Sequence, residues 1–218
     1  MPTALKRNPA TTLLMIITAL IAWIALGLQQ YIIIDRTPGN GLTPIQAVWR
    51  FLLFFTILSN LLVAISLSTI LIKPTSSAGR FFEKPATIAA ITLYIFIVGL
   101  VYNLVLRNIW NPTGRDKVAD ELLHVAVPLL YTIYFLFFAP KEWLPWKTLL
   151  HWLIYPAVYL IYAMIRGVVE NFYVYPFLDL NVLSTSKVIF NCSMVLIAFV
   201  VVGLLFIGYC RFIKKAKS

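Results

Sequence analysis

Charge is scarce in this chain. Asp, Glu, Lys and Arg together make up 12% of its 218 residues, about half the share a soluble domain carries. Histidine and cysteine each occur only twice, which removes most routes to a metal centre or a disulfide framework. Cys192 and Cys210 fall in one apolar run, about 27 Å apart along a helix and out of reach of each other. His124 and His151 fall at different depths of their runs, so they cannot share a zinc ion or sandwich a haem. No metal and no cofactor is expected. No polar joint is long enough to hold a soluble domain, and no segment repeats at a fixed period.

What the chain has in abundance is apolar length. Hydrophobic residues form 61% of it, gathered in six runs: Thr11–Ile34, Ile45–Ile72, Pro85–Leu106, Glu121–Phe138, Thr148–Met164 and Val188–Ile213. With its flanking turns, each is long enough to cross roughly 30 Å of hydrocarbon as a helix. The runs show no period-two alternation, which argues against a β-barrel. The joints carry turn formers, as in Asp35-Arg36-Thr37-Pro38-Gly39-Asn40-Gly41 and Asn111-Pro112-Thr113-Gly114. The expected fold is all-α, a six-helix transmembrane bundle, with residues 1–218 forming one integral membrane domain. The first run is too long for a cleaved signal peptide and is read as a retained helix.

Basic residues set the expected orientation. Six spans put both termini on one side, with Lys6, Arg7, Lys73, Arg80, Lys84, Lys141, Lys147, Arg211, Lys214, Lys215 and Lys217. The other side holds Arg36, Arg50, Arg107, Arg115, Lys117, Arg166 and Lys187, and every acid except Glu83 and Glu142. The positive-inside rule then places both termini in the cytoplasm of a multi-pass cell-membrane protein. The net charge of +10 is accounted for by topology and anionic headgroups. The cations sit at helix ends rather than on one groove-sized face, so nucleic acid is not an expected partner.

Polar side chains within the runs are costly and therefore few, and each needs a reason. His124 follows Asp120 by four residues and Glu121 by three, so all three share a helical face on which a carboxylate orients the imidazole. Pro128, four residues on, leaves the carbonyl of His124 without its helical donor. The competing account is an interfacial histidine bonded to a neighbour. On the second run, Thr56, Ser59 and Asn60 make a polar patch. Counted from the basic edges, Thr56 stands roughly 25 Å up and His124 roughly 24 Å up. Two neighbouring helices would thus bring a hydroxyl and an imidazole to one level. Against this, membrane threonines often bond their own i−4 carbonyl, and asparagines often bond another helix. Asn103 and Arg166 come out near the same level. Arg166 suits a carboxylate or phosphate group, or else an interfacial pair with Glu170. After it, Asn171-Phe172-Tyr173-Val174-Tyr175-Pro176-Phe177-Leu178-Asp179 suits a segment lying on the outer interface.

Three stretches in order, Phe54-Phe55-Thr56-Ile57-Leu58-Ser59-Asn60-Leu61-Leu62, His124-Val125-Ala126-Val127-Pro128 and Tyr173-Val174-Tyr175-Pro176-Phe177-Leu178-Asp179, resemble the androgen-induced membrane protein family, most closely its bacterial six-transmembrane branch. The likeness covers about three quarters of the chain. It implies a multipass threonine hydrolase that cleaves fatty acid esters of hydroxy fatty acids, with Thr56 as nucleophile and His124 as its base. A gapless register anchored on Trp49-Arg50-Phe51 would set Leu53 at the threonine position instead. Just before the Tyr-Pro-Phe-Leu segment, where animal members are His-rich, this chain has Arg166-Gly167-Val168-Val169-Glu170. The expected function is hydrolysis of a membrane lipid or fatty acyl ester by a Thr–His dyad. Asn60, Ser59, Asn103 and Arg166 are the candidates for oxyanion or substrate binding. The alternative is a non-enzymatic lipid-binding or transport protein built on the same polar level.

Overall fold

Several helix starts in this chain are marked by caps and prolines. Asn8 accepts from the N–H of Ala10 at 3.0 Å and precedes Pro9. Thr43 and Gln46 form a reciprocal capping box around Pro44, and Ser76 and Ser184 cap with their hydroxyls. Proline in the first turn forgoes an N–H that has no intrahelical acceptor there anyway. The computed structural model describes residues 8–37, 39, 41 and 43–216.

Among the described residues the chain is all-helical, with six helices long and apolar enough to cross a membrane. In chain order the helices are α1 (Pro9–Asp35), α2 (Pro44–Phe51), α3 (Phe55–Ile72), α4 (Ser77–Phe82), α5 (Pro85–Leu106), α6 (Gly114–Phe138), α7 (Thr148–Glu170) and α8 (Thr185–Lys215). All but α2 and α4 are candidate spans. Their outward faces carry large apolar side chains such as Leu20, Ile24, Leu129, Ile161 and Leu205, as a lipid solvent requires. The protein is a multi-pass membrane protein.

The second run departs from a single helix over Ile45–Ile72. The chain leaves α2 at Leu52 and restarts with Phe54 extended (φ −83°, ψ 128°) as the cap of α3. No glycine or proline marks this break. Its cause is a change of surroundings. In α2 only Ala47 and Phe51 are buried, whereas Leu53, Phe55, Thr56 and Ile57 all are, so the backbone must turn from the surface into the core. Other bounds move outward: α6 starts at Gly114 rather than Glu121, and α7 runs on to Glu170 rather than Met164.

Contacts divide the chain into two compact units, Met1–Lys141 and Glu142–Ser218. In the first, α3 packs on α1 and α5, and α6 packs on α5 and α1. Arg36 pairs with Asp116 at 2.7 Å and Arg115 pairs with Asp35, tying the end of α1 to the start of α6. In the second unit α7 packs on α8. The aromatic segment after α7 folds back on that helix: the N–H of Phe172 donates to the carbonyl of Gly167 at 3.1 Å. The ring of Tyr173 fills the place where a Cβ of Gly167 would stand. Asn191 of α8 donates to the carbonyl of Phe177 at 2.9 Å, pinning the same segment.

Candidate active site

The break before α3 determines what Thr56 can do. Thr18, Thr92 and Thr132 each turn their hydroxyl back to the carbonyl four residues earlier, at 2.7 Å. The residue four before Thr56 is Leu52, which lies outside α3, so this local acceptor is not in helical position. The Thr56 hydroxyl instead meets Nε2 of His124 on α6, with Oγ1 and Nε2 3.2 Å apart. Thr56 is 7% exposed. Leu53, which the alternative register would put in its place, is a fully buried apolar side chain with no group to donate.

Two acceptors hold the other imidazole nitrogen. Nδ1 of His124 lies 2.9 Å from the backbone carbonyl of Asp120 and 3.1 Å from Oδ1 of the same residue. A carbonyl only accepts, so Nδ1 must carry a proton, and neutral His124 has its lone pair on Nε2, facing the threonine. This is the tautomer a general base for Thr56 needs. Of the two acids that share a face with His124, Asp120 takes the role. Glu121 is held away by Arg107 in a two-pronged pair of 2.8 and 2.9 Å. That bonding raises the Arg107 guanidinium above its ordinary range.

A residue absent from the sequence-based candidates completes the cluster. Tyr102 of α5 lays its ring on the imidazole of His124, with centroids 4.2 Å apart and planes 16° from parallel. Its hydroxyl donates to Oδ2 of Asp120. Nothing near Tyr102 in sequence marks it, since the tyrosine lies in an apolar run and only the crossing of α5 and α6 brings it to the histidine. Tyr102 and His124 both lie in π-helical turns, Tyr102–Leu106 and Leu122–Ala126, a local widening often found at functional sites.

No protein-family model, curated protein or solved structure matches this chain.

Asn60 braces the site. Its amide nitrogen donates to the carbonyl of Thr56 at 2.8 Å and to that of Leu123, beside His124, at 3.2 Å. Both amide hydrogens are thereby engaged by backbone carbonyls. Ser59 is fully buried, and its hydroxyl has no hydrogen-bond partner among the described residues. Asn103 is exposed and engaged locally, donating to Gly99 and accepting from Arg107 at 2.9 Å. Arg166, in the second unit, is buried. It pairs with Glu170 and donates to the hydroxyl of Tyr162 at 2.8 Å.

Proposed function

We propose that this protein is an intramembrane hydrolase of a lipid ester, with Thr56 as nucleophile, His124 as general base and acid, and Asp120 as the group that stabilises the imidazolium. The observation that carries this is the 3.2 Å approach of Thr56 Oγ1 to His124 Nε2, with Nδ1 held from behind by Asp120. The likeness of the three stretches to the androgen-induced threonine hydrolases supports the same assignment and suggests fatty acid esters of hydroxy fatty acids as the substrate class.

A threonine hydroxyl is a weak nucleophile at neutral pH and needs a base in reach. As Oγ1 bonds to the ester carbonyl carbon, its proton passes to Nε2, and the positive charge that forms on the ring is met at Nδ1 by Asp120. The oxyanion needs donors. Thr56 and Ile57 stand in the first turn of α3, where N–H groups have no intrahelical acceptor, and Phe54 has no side-chain oxygen to cap them. These amides, together with the Ser59 hydroxyl, are the donors assigned to the oxyanion. Collapse of the intermediate expels the alkoxide, which takes the proton from Nε2. Water, deprotonated by the same nitrogen, then hydrolyses the acyl-threonine.

The protein is placed in the cell's inner membrane with both termini cytoplasmic, on the basic-residue asymmetry. The test is turnover of a long-chain acyl ester of a hydroxy fatty acid by purified protein in detergent. Wild type should release free fatty acid, and Thr56→Ala and His124→Ala should not. Turnover retained by Thr56→Ala would refute the assignment.

A further inference from the structure

We infer that Tyr102 is a positioning residue for His124, acting through its ring on the plane of the imidazole and through its hydroxyl on the carboxylate of Asp120. The inference rests on the hydrolase assignment for its kinetic consequence, though not for its structural one. Tyr102 is 3% exposed and comes from a different helix than either dyad member. The near-parallel stack at 4.2 Å blocks rotation of the imidazole out of the plane in which Nε2 meets Thr56.

The hydroxyl has a separate task. The backbone carbonyl of Asp120 already fixes the tautomer at 2.9 Å, so the carboxylate is not needed for that. What it adds is negative charge 3.1 Å from Nδ1, worth most at the moment the ring becomes a cation. A buried carboxylate with one oxygen unpaired would rotate to find a donor. Tyr102 occupies Oδ2 and leaves Oδ1 directed at the histidine. The backbone thus sets which nitrogen is basic, and Tyr102 with Asp120 sets how well the protonated ring is tolerated.

The experiment compares Tyr102→Phe, Tyr102→Leu and Asp120→Asn with wild type in detergent. One measurement is the limiting rate of Thr56 phosphonylation by an alkyl fluorophosphonate. Tyr102→Phe keeps the ring and loses the hydroxyl. It should lower the limiting rate roughly tenfold to a hundredfold, the worth of a hydrogen bond to a charged group, with an unchanged half-saturating probe concentration. In an Asp120→Asn background the same change should do nothing further, because its effect passes through the carboxylate. A wild-type rate in Tyr102→Phe, or an equal drop in both backgrounds, would overturn the inference.

The second measurement is the spectrum of ¹⁵N-histidine in protein carrying His151→Asn, so that only His124 reports. Tyr102→Phe should move the Nδ1–H proton upfield as the carboxylate relaxes, and Tyr102→Leu should also abolish the ring-current shift of the Cε1 proton. Identical spectra in all three proteins would overturn the positioning role. This readout needs no catalysis. If wild-type Thr56 takes no label while the spectra change as described, the hydrolase assignment fails and the positioning stands.

Discussion

Gly99 of α5 lies directly against the backbone carbonyl of His124 on α6. A Cβ on Gly99 would stand 3.1 Å from Cβ of Pro128 and 3.2 Å from that carbonyl oxygen. Gly99, having no side chain, lets α5 approach closely enough to cover both the Pro128 ring and that oxygen. The contact sets the α5–α6 crossing that brings Tyr102 of one helix onto His124 of the other.

Gly99→Ala should therefore separate the two helices by a few tenths of an ångström. Overpacking of this kind costs about 1–3 kcal/mol, offset in part by the better helix propensity of alanine. The expected result is a modest fall in Tm with a larger loss of Thr56 reactivity towards a fluorophosphonate. Unchanged reactivity would show that the crossing has slack.

Asn60 gives a sharper case, since its amide donates to a carbonyl on each of two helices. Asn60→Asp places a carboxyl against the carbonyls of Thr56 and Leu123. An unmet buried acceptor costs about 1–3 kcal/mol. Thermal unfolding in detergent should show Asn60→Asp less stable than wild type by that order. Equal stability would mean that α3 and α6 are held without this brace.

His151 serves as the control. It is exposed, in the second unit, and has no part in the proposed chemistry. His151→Ala should retain full ester turnover where His124→Ala has none. Comparable losses from both would indicate general damage to the fold.

Orientation is testable without any activity. A reporter active only outside the cytoplasm, fused after Ser218, should stay silent, as the excess of Lys and Arg on the terminal side requires. A signal there would reverse the topology.

Much of this was legible in the sequence because lipid leaves few choices: backbone groups must be satisfied within the helix, so apolar length alone marks the spans. Thr56 and His124 were placed at a common level by counting residues from charged edges, and the i−4 spacing of Asp120 to His124 already put a carboxylate on the right face. The break at Leu52–Phe54 was not legible. Hydropathy is blind to a turn made wholly of apolar residues and driven by burial against other helices. Tyr102 was hidden for a related reason, because its partners are non-local and tyrosines recur throughout the apolar runs. The bracing bonds of Asn60 were hidden too, because spacing shows which face a side chain occupies but not which acceptors its donors meet.

The most direct test of the account is where a fluorophosphonate attaches. Wild-type protein labelled in detergent and mapped by mass spectrometry should carry one phosphonyl group, on Thr56. Labelling should be lost in Thr56→Ala and fall by at least about a hundredfold in His124→Ala, the scale of a missing general base. An adduct on any other residue, or on Thr56 at an undiminished rate without His124, would contradict a Thr56–His124 dyad.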